Sequence, residues 1–328
     1  MATQVKKLPK KQNKFAAAFF RRDVEGKYHM SDGFFGFLLT VPAIAVLLTV
    51  IAAPILKGVY MSFMNYGIKE VSGKAAPVWN NFKNYTDLFH SSGINGTVVD
   101  YFLTTLNFVF WTVAVQFVIG LALALLLNTK VKGRGVFRGL FLVPWTIPSV
   151  VVALLWRLML NNSYGIINWM MNRVGIIETT SFDWLNSPNF ALPAVVIAAV
   201  WRQLPYMMVM LLAGLQSVDR SQIEAARIDG ANFMQTLRHV TLPTIRPVIF
   251  SSIWIAIMNN FQMYTIIQLM TGGGPNEATY TLSIAAYKKA FTDYNFGQGA
   301  AIGVMWLIFL TIVTVIINKL SAKSAENL

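Results

Sequence analysis

Side chains suited to handling a polyhydroxylated solute are concentrated in two apolar stretches of this 328-residue chain. The stretch 247–270 carries Ser251, Ser252, Asn259, Asn260, Gln262, Tyr264, Thr265 and Gln268. Asn260, Tyr264 and Gln268 recur at i, i+4 and i+8, a spacing that predicts one side of a helix. The stretch 189–215 carries Trp201-Arg202-Gln203-Leu204-Pro205-Tyr206. Amides, hydroxyls and an aromatic ring match a sugar, which offers many hydroxyls and flat faces for stacking. Polar groups in a lipid-facing helix are costly, so these are expected to face protein or water. Hydrogen bonding between helices is the competing use. Arg202 can pair bidentately with a carboxylate. The pathway set Arg202, Gln203, Asn259, Asn260, Gln262, Tyr264 and Gln268 therefore suits a neutral or a uronate-containing sugar. The structural alternative pairs Arg202 with a partner chain or with freed backbone carbonyls. Trp111, Gln116, Met207, Met208 and Met210 are lesser candidates, the methionines chiefly as packing.

The same inventory points away from catalysis. The chain has no cysteine, and its three histidines, His29, His90 and His239, are scattered. Thiol chemistry and cysteine-based metal sites are excluded. No GxxxxGK[ST] phosphate loop occurs, so any ATP and Mg would bind another chain. No cofactor or catalytic residue is expected in this one.

The elements that position these groups are membrane spans. Hydrophobic residues make up 55% of the chain and charged residues 12%, against about 25% charged in a soluble domain. A bilayer core needs about 20 apolar residues in a helix. Segments 34–56, 101–127, 139–155, 189–215, 247–270 and 298–318 are candidates, giving an all-α membrane protein with six transmembrane helices. Pro144 and Pro148 predict a kinked third span ending near Trp156 and Arg157. The net charge is +13, but its distribution matters more than its sum and gives no reason to expect nucleic acid. Lys6, Lys7, Lys10, Lys11, Lys14, Arg21, Arg22 and Lys27 crowd a basic arm over 1–33. It is either a solvated tail or a contact for anionic head groups in the lipid bilayer. With Lys130, Lys132, Arg134 and Arg138, then Arg220, Arg227, Arg238 and Arg246, then Lys319 and Lys323, it places one face and both termini in the cytosol. The permease domain is thus 34–318, with a loop over 216–246 and a tail over 319–328. The opposite loops carry Trp79, Phe82, Tyr85 and Phe89, and Trp169 and Trp184. These are interface anchors or a surface for an extracytoplasmic partner.

The loop between the fourth and fifth spans has its own local logic. Ser221 and Glu224 have capping-box spacing, so a helix is predicted to start at Ser221. Gly230 permits a turn that a β-carbon resists. Asn232, with Gln235 three residues on, can cap a second helix. Phe233, Leu237 and Val240 give that helix one apolar face, and Pro243 is expected to end it.

Glu224-Ala225-Ala226, then Gly230, then Val240-Thr241-Leu242-Pro243 resemble the "EAA" signature of binding-protein-dependent importer permeases, with Val240 in place of the commoner isoleucine. The resemblance implies a coupling helix that docks in a groove of the ATPase subunit, with Glu224, Ala225, Ala226, Asp229 and Gly230 as its contact residues. Asn81-Phe82-Lys83-Asn84-Tyr85 and Thr271-Gly272-Gly273-Gly274-Pro275 resemble the sugar-permease branch. The latter element and the basic arm resemble its maltose-type first permease, and Ser321 to Leu328 lack the glycine-rich tail of its usual partner. The implied fold is the type I (MetI-like) ABC importer permease, five core spans plus one at the N-terminus. The implied partners are a second homologous permease subunit, two ATPase subunits and an extracytoplasmic solute-binding protein. The implied setting is a bacterial inner membrane, and the implied function is sugar import by alternating access. An ion-coupled secondary transporter is the alternative. It would want a carboxylate within a span, and the six segments contain none.

Overall fold

The computed structural model describes residues 20–22, 28–90, 96–129 and 132–325. Lys6, Lys7, Lys10, Lys11, Lys14, Lys27 and Lys130 lie outside the described residues. The chain divides into two units, Met1–Tyr60 and Met61–Leu328.

In the first unit, strands β1 (Phe20–Arg22) and β2 (Tyr28–Met30) form a short antiparallel hairpin within the segment read as an arm. Helix α1 (Asp32–Ser62) follows. Its first turn is capped by Ser31, whose Oγ accepts from the Phe34 N–H at 3.3 Å. It therefore begins two residues before the predicted span and runs six past it, through a π turn at Leu47–Ala52. The helix is apolar enough along its length to cross a membrane.

In the second unit, α3 (Val98–Asn128) and α7 (Pro188–Gln216) form the central pair; α2 (Lys83–Phe89) precedes them. Small residues let the two long helices approach. Ala191, Ala194, Ala198 and Ala199 of α7 are buried. A Cβ on Gly120 of α3 would stand 2.8 Å from Met207 Cγ. Met207 and Met208 are core residues, which bears out their packing role. Gln116 is buried among them with its amide nitrogen unpartnered, and Trp111 is exposed.

The third span is broken rather than kinked. Helices α4 (Arg134–Thr146) and α5 (Ser149–Met159) meet at 94°. Ile147 is extended (ψ 131°), as a residue before proline prefers, and the helix after the break continues past Trp156 and Arg157. A short helix α6 (Ile166–Arg173) leads to α7, which is unbroken through Pro205.

After α7 come α8 (Arg220–Ile228), α9 (Phe233–Thr244) and α10 (Arg246–Phe261), with a 72° bend between the last two. Pro243 does not end α9. The helix passes it and breaks at Ile245 (φ −90°, ψ 8°). Nor is the fifth span one helix. α10 ends at Phe261, and α11 (Thr265–Met270) starts after a turn. Then come α12 (Leu282–Tyr287), a π turn (Lys288–Thr292) and α13 (Phe296–Ala325). α13 continues into the segment read as a tail, whose residues 326–328 lie outside the described ones. Among the described residues four helices are long and apolar enough to cross a membrane alone, and the number rises to six where each of the bent pairs α4–α5 and α9–α10 is counted once.

Candidate functional site

The α4–α5 and α10–α11 breaks come together beside α7. Between them lies a cavity of about 350 Å³. Trp145 and Ser149 flank the α4–α5 break. Arg202, Gln203 and Tyr206 come from α7. Asn259, Gln262 and Tyr264 come from the end of α10 and the turn after it. Non-helical backbone at membrane depth is tolerated where it lines such a cavity or is buried in protein. The freed backbone groups have partners. Arg202 Nε donates to the Ile147 carbonyl at 3.4 Å, and the Ser283 hydroxyl donates to the Met263 carbonyl at 2.9 Å. Arg202 thus meets a freed backbone carbonyl, as its structural alternative had it, and that carbonyl is at the α4–α5 break. Among the described residues no carboxylate pairs with Arg202.

Five of the seven pathway residues line the cavity: Arg202, Gln203, Asn259, Gln262 and Tyr264. Asn260 and Gln268 do not. Because the helix stops at Phe261, the i, i+4, i+8 alignment of Asn260, Tyr264 and Gln268 does not form. Asn260 is 1% exposed and faces protein. Its Oδ1 accepts from Gln203 Nε2 at 3.0 Å, and its Nδ2 donates to the Ala256 carbonyl at 2.8 Å. Gln268 sits on α11, which packs on α5, and its Oε1 is buried without a partner. Trp145, Ser149 and Tyr206 are cavity residues that the sequence reading did not single out. Pro144 and Pro148, which bracket Trp145, were the available signal. The Trp145 and Tyr206 rings lie 6.1 Å apart at 41°, two flat surfaces on one wall.

The loop before α10 forms a helix, a turn and a helix. The first helix is capped by Asp219, not Ser221. Asp219 Oδ1 accepts from the Ser221 N–H at 2.9 Å. The backbone N–H and hydroxyl of Ser221 hold the Asp219 carboxyl below its usual 3.8. Both positions have capping-box spacing, and packing selects between them. With Asp219 as the cap, Val218 before it and Ile223 in the first turn both rest on the main core, the arrangement of a hydrophobic staple. Gly230 has φ +82°, and the Ala231 N–H donates to the Ala226 carbonyl at 2.9 Å, closing the helix as a left-handed glycine does. Asn232 and Gln235 form the predicted capping box, with bonds of 2.9 and 2.8 Å. Glu224, Ala225, Asp229 and Gly230 are exposed and Ala226 half-buried. Phe233 departs from the expected inward face and is 68% exposed. A π turn at Leu237–Thr241 breaks the constant pitch of the helix, and the buried residues are Thr236, Thr241 and Ile245. Ile228, Phe233 and Met234 thus present exposed apolar side chains beside the Gly230 turn.

Residues 116–326 match the family of binding-protein-dependent transport system inner membrane components. The chain belongs to this family. The match takes in the cavity, both helix breaks and the Gly230 loop, and leaves α1 outside. The permease is 32% identical over 287 residues to the trehalose/maltose transport system permease protein MalF of Thermococcus litoralis, covering 87% of this chain and 92% of that one. It is 31% identical over 287 residues to the sulfoquinovosyl glycerol transport system permease protein SmoG of Agrobacterium fabrum, covering 88% and 90%. Its fold superposes, with a TM-score of 0.74 at 20% identity and coverage of 88% and 96%, on a chain of a bacterial ABC transporter involved in the import of the acidic polysaccharide alginate. The permease therefore has the MetI-like fold expected from the motif residues.

Proposed function

We propose that this permease moves a sugar or oligosaccharide into the cytosol as one membrane subunit of an ATP-driven ABC importer. A second homologous permease, two ATPase subunits and an extracytoplasmic binding protein complete the machine. The cavity at the meeting of two helix breaks carries this reading. Amides from Gln203, Asn259 and Gln262, hydroxyls from Ser149 and Tyr264, and the Trp145 and Tyr206 rings line one volume. That donor set suits hydroxyl groups and pyranose faces. The names of the Thermococcus and Agrobacterium relatives support sugar as the cargo class. Among the described residues Arg202 has no carboxylate partner, and it borders the same volume, which extends the reading to uronate-containing sugars.

Coupling runs through α8. Glu224, Ala225, Ala226, Asp229 and Gly230 form the contact for an ATPase subunit, and exposed Ile228, Phe233 and Met234 add its apolar part. ATP and Mg bind there, on the ATPase chains. The charge pattern puts this loop and both termini in the cytosol. Cargo binds when the cavity opens to one side and leaves when it opens to the other. An ion-coupled mechanism lacks its usual group. The carboxylates within the long helices, Asp32 and Asp100, both stand in first turns, and Asp100 is held by the Thr97 N–H at 2.7 Å.

The test is uptake into vesicles by the complete reconstituted transporter, with neutral and uronate oligosaccharides delivered by its binding protein. Uptake that requires ATP and falls when Glu224 is replaced is the expected result. Arg202→Gln is expected to weaken uronate uptake and spare neutral sugars. Uptake driven by a proton gradient through this chain alone would overturn the proposal.

A further inference from the structure

The cavity has an aromatic extension that leads away from it. Tyr264, on the cavity wall, meets Tyr287 with ring centroids 4.7 Å apart and planes tilted by 39°, and Tyr287 meets Phe291 at 5.0 Å and 36°. Phe291 meets Phe296 edge-on at 6.1 Å. These rings are not core. Tyr287 is 41% exposed and Phe291 59%.

Two features hold the row in place. The π turn Lys288–Thr292 follows Tyr287 directly and carries Phe291, and such turns recur at functional sites. The turn is seated on α13, where a Cβ at Gly299 would stand 2.8 Å from the Ala290 Cβ. The Lys289–Asp293 pair, 3.4 Å apart, ties the turn to itself.

We infer that Tyr264, Tyr287, Phe291 and Phe296 form a stacking ladder along which an oligosaccharide chain enters or leaves the central cavity. The inference rests on the sugar reading above. Aromatic residues of a membrane-interface belt would also be exposed, but they act singly at head-group level. Here each ring meets the next, and the row ends inside a polar cavity. Stacking on ring faces tolerates sugar identity and lets a chain shift from one rung to the next. Successive rungs bind successive sugar units, so the ladder favours chains over single sugars.

The experiment uses the complete reconstituted transporter with its binding protein. Uptake is measured for maltooligosaccharides and for oligouronates, each from disaccharide to hexasaccharide. Variants are Tyr287→Ala, Phe291→Ala and the ring-keeping Tyr287→Phe and Phe291→Tyr. Loss of one aromatic contact is expected to raise KM about fivefold for the longer chains. Disaccharide uptake is expected to stay near wild type, and the ring-keeping variants to match wild type throughout. If the alanine variants change all chain lengths equally, or none, the ladder is overturned while the function stands. If they release the second membrane subunit on purification, the rings are a subunit contact and the ladder is likewise overturned. If wild type takes up no oligosaccharide of either series, the sugar reading fails and the ladder falls with it.

Discussion

The Gln203–Asn260 amide pair joins α7 to α10 directly behind the cavity, and removing it in two steps or one should give unequal results. Asn260 is 1% exposed and Gln203 8%, and the bond between them is 3.0 Å long. Gln203→Met fills the same volume with apolar atoms and strands the Asn260 carbonyl oxygen away from the cavity. A stranded buried acceptor costs about 1–3 kcal/mol, while hydrogen bonds between membrane helices average about 0.6 and reach about 1.7 kcal/mol. The expected loss is about 1.5 kcal/mol. Asn260→Leu strands the Gln203 amide instead, but that amide borders the cavity and can turn to water, so about 1 kcal/mol is expected. The Ala256 carbonyl that Asn260 also caps keeps its bond within the helix. With both residues apolar nothing is left unpaired, and the double variant should lie within about 1 kcal/mol of wild type. The assay is unfolding of the purified transporter in detergent, read as a double-mutant cycle. Losses that simply add would refute the reasoning. The double variant should still raise the uptake KM, because the pair fixes the spacing between neighbouring Arg202 and Asn259.

Gly230→Ala meets no atom within 4 Å, so its cost is backbone strain alone, about 1 kcal/mol in thermal unfolding; Gly230→Asn should be milder, since asparagine tolerates φ +82° better. Ile228→Asp or Phe233→Asp changes an exposed side chain and should leave unfolding within about 0.5 kcal/mol of wild type, yet abolish co-purification of the ATPase subunit; retained co-purification would remove these residues from the contact. The Asp219 cap predicts a pH effect. Its folded carboxyl titrates below the usual 3.8, so its contribution to stability is whole above that value and is lost as pH falls through the lowered one. Asp219→Asn, measured in detergent across the acid range, should remove that part of the slope.

What the sequence disclosed followed from local rules. Gly230 needed a positive φ, Asn232 and Gln235 had capping spacing, and the apolar runs were long enough to span. What it concealed depended on distant partners. No proline or glycine marks the break between Phe261 and Thr265; the hydroxyl of Ser283, from α12, bonds the Met263 carbonyl there. Arg202 was legible as an expensive residue, but its partner, Ile147, lies 55 positions away. The single apolar face assigned to Phe233, Leu237 and Val240 failed because periodicity assumes a constant pitch, which the π turn at Leu237–Thr241 does not keep. Asp219 and Ser221 were equally good caps locally, and only the seating of Val218 and Ile223 on the core decides between them.

The placement of these breaks bears on how docking at α8 reaches the cargo. α9 joins α10 at Ile245, which is 1% exposed and so is gripped by the core. From there α10 runs 16 residues without interruption to Phe261, a rod of roughly 24 Å. Asn259 stands in its last turn and Gln262 just beyond. A buried pivot at one end and cavity residues at the other make α10 a lever. On the proposed function, a displacement of α8 and α9 would tilt the rod about Ile245 and carry Asn259 and Gln262 relative to Arg202 on α7. The α10–α11 break would let that end move without dragging α11 off α5, and the Gln203–Asn260 bond is a polar link between α7 and α10 that such a tilt would stretch. A continuous fifth span would transmit the motion to α11 as well, so the interruption would confine it to the cavity wall.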